Sequence, residues 1–375
     1  MTKYKFDEIA INSTQKKKPT EEDKVYYIGL EHIDPGCFDV VRWGSNVAPT
    51  GDKLLMQKGD VLFGKRRAYQ RKVAIAPFDG IFSAHGMVLR PNLKVIDANY
   101  FPFFISSDKF METAVRISVG GLSPTINWKD LARQEFELPS LDEQKVLADK
   151  LWAAYRLKEA YKKLLVATDE MVKSQFIEMF ENVESYCKLE DLVSDTFPGE
   201  WGSEPISENA IKVIRTTNFT NEGYLDLTDV VTRDIEPKKV VRKKLKQGDT
   251  ILERSGGTKD NPVGRVVIFD EIGDYLPNNF TQVLRPKESV NPVYLFYALY
   301  NSYNLNKAAM RAMASQTTGI QNLSMSDFMA KFIVLPSRNE QNKFEQIYRQ
   351  ADKSKFELKQ SIEHIDKVIK SLING

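Results

Sequence analysis

Two stretches of the chain carry apolar residues at helical spacing. Between 140 and 180 they recur every three or four residues, and from 344 to 372 they recur every seven. Residues at these spacings share one helix face, so both stretches predict long helices. A helix of about 40 residues extends about 60 Å, longer than a small globular domain. We therefore predict that the two helices pack on each other as a coiled-coil stalk. The alternative, in which each helix packs on its own domain, is disfavoured by this length. The predicted seam of the second helix contains Phe344, Ile347, Ala351, Ser354, Leu358, Ser361, Ile365, Val368 and Leu372.

The rest of the sequence alternates short apolar runs with glycine, proline and aspartate, a pattern typical of strands and turns. Strands are predicted at 25–30, 59–63, 72–76 and 86–89, and in the second half at 211–214, 250–252, 265–269 and 281–284. Helices are predicted at 99–106 and 293–301, with Asp97 and Asn291 as their N-terminal caps. The predicted fold class is α+β.

Four sequence blocks occur twice, in the same order. Leu-Pro-Ser-Leu-Asp-Glu-Gln at 138–144 returns as Leu-Pro-Ser-Arg-Asn-Glu-Gln at 335–341, an offset of 197 residues. The other blocks are a Gly-Asp strand (58–63 and 247–252), a Val-Leu-Arg-Pro strand (88–91 and 283–286), and Gly121, Asp130 and Leu131 matching Gly319, Asp327 and Phe328. Such order indicates a duplication. We predict a globular domain at 1–139, a long helix at 140–185, a second globular domain at 186–336 and a second long helix at 337–375.

The amino-acid composition is that of a globular protein. The 375 residues are 42% apolar and 28% charged, as in globular proteins, and they suffice for two domains. No run of eighteen apolar residues and no apolar leader is present, so we expect neither a membrane span nor a signal peptide. Cys37 and Cys187 are the only cysteines, which suits a reducing cytoplasm. We expect a cytoplasmic protein without a membrane partner.

Motifs for catalysis are missing from the sequence. The three histidines, His32, His85 and His364, have no counterparts in the other half, and no metal-ligand, dinucleotide or P-loop spacing occurs. The Asn-Pro-Val-Tyr segment at 291–294 resembles the motif with which amino-methyltransferases hold a flipped base. Its counterpart, 97–100, is a plain helix start, so we interpret both as helix caps. We expect no catalytic residue, no metal and no cofactor.

Candidate DNA contacts lie in two pairs of equivalent loops. The loop 64–72 combines five basic residues with a tyrosine and a glutamine, which suits both phosphate and base-edge contacts. Its counterpart, 253–261, has different polar residues, which is expected if the two loops contact different DNA sequences. The small, polar loops 120–125 and 317–322 can approach a DNA backbone closely. The alternative interpretation is that these are solvated surface loops that bind no DNA. The candidate residues are Lys65, Arg66, Arg67, Tyr69, Gln70, Arg71, Lys72, Ser123, Thr125, Arg215, Arg254, Ser255, Thr258, Lys259, Asn261, Thr318, Gln321 and Asn322.

Charge is unevenly distributed between the halves. The net charge of +2 is far below that of a protein that coats DNA without sequence preference. Residues 1–139 carry 20 basic and 17 acidic side chains, whereas 186–336 carry 18 and 19. The first half can therefore hold DNA unaided, and the second needs phosphate contacts from a partner.

The duplicated blocks resemble those of the specificity subunit of type I restriction-modification enzymes. The likeness covers essentially the whole chain and includes the Gly-x-Ser-Pro-Thr-Ile-Asn stretch from Gly121 to Asn127, although the second half has Ile-Gln-Asn in place of Ser-Pro-Thr. The resemblance implies two target-recognition domains, each reading half of a bipartite double-stranded DNA target, in a subunit that is not itself an enzyme. It also implies that the two long helices are antiparallel, as readers that face one DNA from opposite ends require, and that they set the spacer and bind two methyltransferase subunits, which restriction subunits can join. S-adenosylmethionine, magnesium and ATP would belong to those partners.

Two other functions stay open. One is the recognition subunit of another multi-subunit DNA modification system, which shares every feature above. The other is a coiled-coil scaffold that binds proteins and no DNA. The basic loop 64–72 argues against the scaffold, because five cations in nine residues are not needed for helix pairing.

Overall fold

The computed structural model describes residues 1–206, 210–317 and 319–374. The chain forms two compact units: unit 1 comprises Met1–Lys163 and Leu358–Gly375, and unit 2 comprises Leu164–Glu357. Each unit therefore contains one globular part and a portion of both long helices. Strands and helices mix in both globular parts, which confirms the predicted α+β class.

Unit 1 contains ten short strands among its described residues, and most of its helices follow the ninth strand. Its strands are β1 (Thr2–Lys5), β2 (Ala10–Ser13), β3 (Lys16–Lys17), β4 (Tyr27–Ile28), β5 (Lys53–Met56), β6 (Val61–Phe63), β7 (Val73–Ile75), β8 (Gly80–Phe82), β9 (Met87–Pro91) and β10 (Glu135–Leu138). Its helices are α1 (Phe6–Ile9), α2 (Phe101–Ser106), α3 (Asp108–Arg116), α4 (Trp128–Ala132) and the start of α5 (Leu141–Phe180), with 3-10 turns at Glu22–Tyr26, Leu30–His32 and Ala68–Gln70.

Unit 2 repeats this plan. Its strands are β11 (Tyr186–Lys188), β12 (Val193–Pro198), β13 (Ile211–Ile214), β14 (Val231–Arg233), β15 (Thr250–Glu253), β16 (Ser255–Gly256), β17 (Val266–Ile268), β18 (Tyr275–Pro277), β19 (Thr281–Pro286), β20 (Ala314–Thr317), β21 (Ile320–Leu323) and β22 (Phe332–Val334). Its helices are α6 (Leu189–Leu192), α7 (Pro237–Lys243), α8 (Pro292–Leu305), α9 (Lys307–Ala312), α10 (Met325–Met329) and most of α11 (Arg338–Asn374), with a 3-10 turn at Thr216–Asn218.

The two units share the topology of their main sheet. In unit 1 the order is β2-β9-β6-β7, and in unit 2 the equivalent strands give β12-β19-β15-β17. All pairs in both sheets are antiparallel. A second sheet, β3-β5-β8-β4 in unit 1 and β14-β13-β18 in unit 2, contains one parallel pair in each unit. The duplication inferred from four sequence blocks is thus a duplication of architecture.

Most predicted strands are present, and the prediction of one strand is largely wrong. Strands β6, β7 and β9 and strands β13, β15, β17 and β19 lie where the alternating pattern predicted them. The predicted strand 25–30 is mostly two 3-10 turns around the two-residue strand β4. Asp23 explains the first turn, because its Oδ2 accepts hydrogen bonds from the Thr20 amide and hydroxyl at 2.8 and 2.9 Å. Such side-chain bonds compete with strand pairing.

The predicted helix caps differ between the halves. Asn291 caps α8, since its Oδ1 accepts from the amides of Val293 and Tyr294 at 2.9 and 3.1 Å. This confirms the helix-cap interpretation of the Asn-Pro-Val-Tyr segment. Asp97 makes equivalent bonds to the next residues, but within a turn, so that α2 begins only at Phe101.

Both long helices are present, and their antiparallel pairing is visible in unit 2. Lys355 of α11 pairs with Asp169 of α5 at 2.7 Å. Eleven residues earlier in α11, the ring of Phe344 lies 5.0 Å from that of Phe176, which comes later in α5. A contact that lies earlier in α11 therefore lies later in α5. The two helices run antiparallel, which confirms the prediction.

The predicted seam of α11 is correct at its main positions and wrong at some companion positions. Phe344, Ala351 and Ile365 are buried. Val368 is 38% exposed, whereas Lys355, beside the predicted Ser354, is 9% exposed. A straight helix has 3.6 residues per turn, so a strict seven-residue repeat drifts by about 20° per heptad toward the following residue.

Candidate nucleic-acid interface

The repeated Gly-Asp and Val-Leu-Arg-Pro blocks meet in a buried ion pair in each unit. Asp60, just before β6, accepts from Arg90 Nε and Nη2 of β9 at 2.7 and 2.9 Å. Asp249 and Arg285 form the same bidentate pair at 2.8 and 2.7 Å. Hydrogen bonding to the aspartate raises the pKa of both arginines. These pairs couple the two central strands, and thereby determine where the candidate loop leaves each sheet.

The basic loop of unit 1 lies against the second candidate loop. The Arg67 amide donates to the Pro124 carbonyl at 2.7 Å, and the Ile126 amide donates to the Lys65 carbonyl at 3.1 Å. The Arg67 guanidinium donates to Ser123 Oγ from Nε at 3.2 Å and from Nη2 at 3.1 Å. The two loops that the sequence singled out separately therefore form one continuous surface.

Positive charge is concentrated on this surface. Arg66 forms a β-bridge with Thr125, and its Nη1 lies 3.3 Å from His85 Nε2. Burial, followed by the charges of Arg66 and Lys65, lowers the pKa of His85. Burial and the charge of Lys16 likewise lower the pKa of Lys65. Cations held this close together suit a polyanion such as a phosphate backbone.

Three basic residues near this surface were not predicted from the sequence. Lys16 of β3 and Lys53 of β5 belong to adjacent paired strands, and His85 follows β8. The charge of Lys53 is among the causes that lower the pKa of His85. The lysine run at 16–18 is visible in the sequence, but only the pairing of β3 with β5 brings it toward the basic loop.

Arg71 and Lys72 are engaged within unit 1. Arg71 Nη2 donates to Asp108 Oδ1 at 2.5 Å and to the Ser106 carbonyl at 3.2 Å. Lys72 Nζ donates to the Leu30 carbonyl at 2.6 Å. Both side chains hold the end of the loop to neighbouring elements. The other predicted residues of the loop include Tyr69, which is 55% exposed, and Gln70, which is half-buried.

Two arginines of the loop have a strained backbone. Arg67 and Arg71 flank the 3-10 turn Ala68–Gln70 with φ of 58° and 52°. The left-handed region costs L-residues roughly 1–2 kcal/mol, and glycine would relieve that cost. Among the described residues that are not glycine, only these two have positive φ. Strain retained at an exposed arginine such as Arg67 is typical of a functional loop.

In unit 2 the equivalent loops pair as strands. Ser255 lies opposite Asn322, and Gly256 opposite Gln321, in the antiparallel pair of β16 and β21. Ser255 Oγ donates to Asn322 Oδ1 at 2.7 Å, and the Val263 amide donates to Gln321 Oε1 at 3.3 Å. The predicted residues from the two loops are thus brought together here as well.

Thr258, Lys259 and Asn261 form a turn next to this strand pair. The Thr258 amide donates to the Asn261 carbonyl at 2.6 Å, and the Asn261 amide donates back to Thr258 Oγ1 at 3.0 Å. Two basic residues of α9, which were not predicted from the sequence, hold the turn. Lys307 Nζ donates to Asn261 Oδ1 at 2.8 Å, and Arg311 Nη2 donates to the Lys259 carbonyl at 2.7 Å.

The remaining predicted residues differ in how they relate to this strand pair. Arg254 adjoins β16, and its carbonyl accepts from the Leu323 amide at 2.8 Å. Arg215 follows β13, and its Nη2 donates to Asp229 Oδ2 at 2.8 Å in a separate loop. Thr318 lies outside the described residues.

In the part of the chain that the structure describes, no group of three or more histidine, cysteine, aspartate or glutamate residues is arranged to hold a metal ion. None of the helices in the described ranges combines the length and apolarity that crossing a membrane requires.

Comparison with known proteins places this architecture in a class. The model of the type I restriction modification DNA specificity domain matches twice, at residues 3–165 and 196–366. The two matches cover most of the chain and follow its internal duplication. The chain belongs to the type I restriction-modification specificity family, and its role is that of a DNA-recognition subunit.

Relatives in sequence and structure agree with this assignment. The chain is 20% identical over 387 residues to the type I restriction enzyme EcoKI specificity subunit of Escherichia coli strain K12, covering 94% of this chain and 82% of the relative. It is 20% identical over 386 residues to the StySPI specificity subunit of Salmonella potsdam, covering 94% and 81%. The crystal structure of the type I S subunit from M. genitalium has the same fold, with a TM-score of 0.60 and 15% identity, covering 99% of this chain and 94% of that one.

Proposed function

We propose that each globular part reads one half of a bipartite double-stranded DNA target. One observation carries the proposal. Both units have the same sheet topology, and in each unit the two equivalent loops contact each other, but the side chains of these loops differ between the units. Residues 1–139 and 186–336 would be the two target-recognition domains, and 140–185 and 337–375 the connecting helices. A scaffold without a DNA ligand would not need the strained, basic loop that contains Arg66 and Arg67.

The proposed contacts have two kinds of role. Arginine pairs bidentately with guanine, whereas lysine acts mainly as a point charge on phosphate. In unit 1 we assign base reading to Arg66, Arg67 and Gln70, and phosphate contact to Lys65. Arg71 and Lys72 contribute by holding the loop, given their bonds to Asp108 and Leu30. The further proposed contacts are Tyr69, Ser123, Thr125, Arg215, Arg254, Ser255, Thr258, Lys259, Asn261, Thr318, Gln321 and Asn322.

The long helices would set the spacer between the half-sites and bind two methyltransferase subunits in the cytoplasm, with restriction subunits able to join. The chain itself would be non-catalytic and would hold no cofactor. Purified alone, it should show no methyl transfer, nuclease or ATPase activity. Methyl transfer by the pure chain would contradict this part of the proposal.

Exchange of one domain tests the reading function directly. Residues 1–139 would be replaced by the first domain of another specificity subunit, and the methylated motif would be read by single-molecule sequencing in cells that supply the methyltransferase. One half of the motif should change, while the other half and the spacer stay the same. A change in both halves would contradict separate readers. Absence of methylation and of DNA binding with the unaltered gene would favour the scaffold.

A further inference from the structure

Two ionic residues of α5 recur in α11 at the offset of the internal repeat. Lys158 and Lys355 are 197 residues apart, and so are Asp169 and Asp366. Within each helix the lysine precedes the aspartate by eleven residues, about three turns, so the two side chains lie on nearly the same helix face. Each repeat therefore carries one lysine and one aspartate in the same arrangement.

Each unit contains one ion pair made from these residues, always with partners from different repeats. In unit 1, Lys158 Nζ lies 2.7 Å from Asp366 Oδ1. In unit 2, Lys355 Nζ lies 2.7 Å from Asp169 Oδ1. The two pairs also match in burial: the lysine side chains are both 11% exposed, and the aspartates are 50% and 53% exposed.

The burial of the lysines makes these pairs sensitive to helix position. Lys158 lines a cavity with Phe38, Tyr155 and Ile369, and the ammonium of Lys355 lies 4.9 Å from the ring centroid of Tyr224. A lysine buried among such groups is strongly destabilising when its counter-charge is removed. Sliding one helix by a single turn moves a carboxylate by about 5.4 Å, which is beyond hydrogen-bond reach.

The same residues oppose the alternative orientation. If equivalent positions of two parallel helices were aligned, Lys158 would face Lys355 and Asp169 would face Asp366. Like charges placed opposite each other are unfavourable, and buried polar residues of this kind are known to specify register and orientation in paired helices. The antiparallel register converts both clashes into attractions.

We propose that the pairs Lys158–Asp366 and Lys355–Asp169 determine the register and antiparallel orientation of α5 and α11, and that they thereby determine the length of the spacer in the DNA target. The statement about register stands on the two ion pairs. The statement about the spacer rests on the proposed function, because it requires the two globular parts to read one DNA.

Spin-label distances in the purified full chain test the register without DNA. Labels would be attached to cysteines at Val166 and Phe356, which are 66% and 61% exposed in unit 2, after replacement of Cys37 and Cys187 by serine. The unaltered helices should give one narrow distance distribution. Asp169→Lys with Asp366→Lys should abolish it, through broadening or a shift of about one turn, roughly 5 Å. Adding Lys158→Glu and Lys355→Glu should restore it.

Matched controls separate register from folding. Lys353→Glu reverses an exposed charge two residues from Lys355, and should leave the distribution unchanged. If the double lysine variant fails to fold, refolding by the fourfold charge reversal supports the proposal. An unchanged distribution in the double lysine variant, or no restoration by the reversal, overturns it.

Methylation in cells then tests the spacer. With the methyltransferase present, the double lysine variant should lose methylation at the single native spacer, and the fourfold reversal should regain it. A native spacer in the double lysine variant, despite an altered label distance, would overturn the link to DNA while leaving the register role intact. If the unaltered chain directs no methylation, the proposed function fails, and the spin-label result still decides the register.

Discussion

Asp249 is a buried carboxylate whose hydrogen bonds all come from its own unit. It is 1% exposed and accepts from Arg285 Nε and Nη2 and from the Lys246 amide, at 2.8, 2.7 and 2.8 Å. Asn in its place would remove the carboxylate that pairs bidentately with Arg285, and would leave that guanidinium only the weaker attraction of Asp195. We expect Asp249→Asn to lower the free energy of unfolding by about 3–5 kcal/mol, measured by urea titration.

A surface pair provides the control. Asp274 pairs with Lys244 where both side chains are largely exposed, at 64% and 44%. Water and salt screen such a pair, so Asp274→Asn should change stability by less than about 1 kcal/mol. Equal losses from the two variants would show that the repeated Gly-Asp and Arg-Pro blocks contribute no more than an ordinary surface contact.

Arg67 offers a test of base reading that keeps its charge. Lysine retains the attraction to phosphate but lacks the planar fork that pairs with guanine. We expect Arg67→Lys to cost roughly 1–3 kcal/mol on the native half-site and to relax the preference at one base position. The measurement is methylation across a library of first half-sites, with the methyltransferase present. Arg156→Lys, at an exposed position of α5, is the matched control. A uniform loss on every sequence would mean that Arg67 contacts only the backbone.

The roles of some of these residues can be predicted from the sequence, and those of others cannot, for physical reasons. Gly59 and Gly248 have φ of 90° and 89°, so the turn before the Gly-Asp strand explains why glycine is repeated there. A run of cations such as 65–67 is also visible without a structure. The partners of Arg71 and Lys72 are not, because Asp108 and Leu30 are distant in the chain.

At the scale of elements, the Leu-Pro-Ser-x-x-Glu-Gln block is a complete helix start. Ser337 and Glu340 form a capping box, in which the Ser337 amide donates to Glu340 Oε2 at 2.9 Å and the Glu340 amide donates to Ser337 Oγ at 3.3 Å. Hydrogen bonds from the serine lower the pKa of Glu340. Ser140 and Glu143 repeat the arrangement at the start of α5.

The glutamine of the block connects each long helix to the globular part before it. Gln341 is 1% exposed, accepts from the Asn291 amide at 2.8 Å and donates to the Pro336 carbonyl at 2.9 Å. We expect Gln341→Ala to lower the free energy of unfolding by about 1–3 kcal/mol, because it leaves the buried Asn291 amide unsatisfied. Urea unfolding measures the loss. Lys343→Ala, exposed on the same helix, should have little effect, and a similar loss there would contradict the role of the glutamine.

The paired helices contain features that a pattern of apolar residues cannot predict. Apolar spacing predicted both helices, since periodicity is a local property of the sequence. Their antiparallel orientation was predicted from the need for two readers to face one DNA. It could not identify Lys158 and Lys355 as buried, because lysine counts as a surface residue unless its partner is known. Those partners, Asp366 and Asp169, belong to the other repeat. The signal that was available is the shared offset of 197 residues, which marks all four positions together.

At the scale of the whole molecule, the repeat predicts that any change of helix length must be made in both helices. An insertion after Ala160 lengthens the interval from Lys158 to Asp169 while the interval from Lys355 to Asp366 stays the same. One of the two ion pairs then cannot form. An insertion after Glu357, the position equivalent to Ala160, restores equal intervals.

We therefore expect matched four-residue insertions after Ala160 and Glu357 to lengthen the spacer of the methylated motif and to leave both half-sites unchanged. Four residues add about 6 Å of helix, which corresponds to about two base pairs at roughly 3.4 Å each. The insertion after Ala160 alone should give weak methylation or more than one spacer length, because it separates the two registers. Single-molecule methylation sequencing distinguishes these outcomes. An unchanged spacer after the matched insertions, or a change in the bases that are read, would show that the helices do not measure the distance between the half-sites.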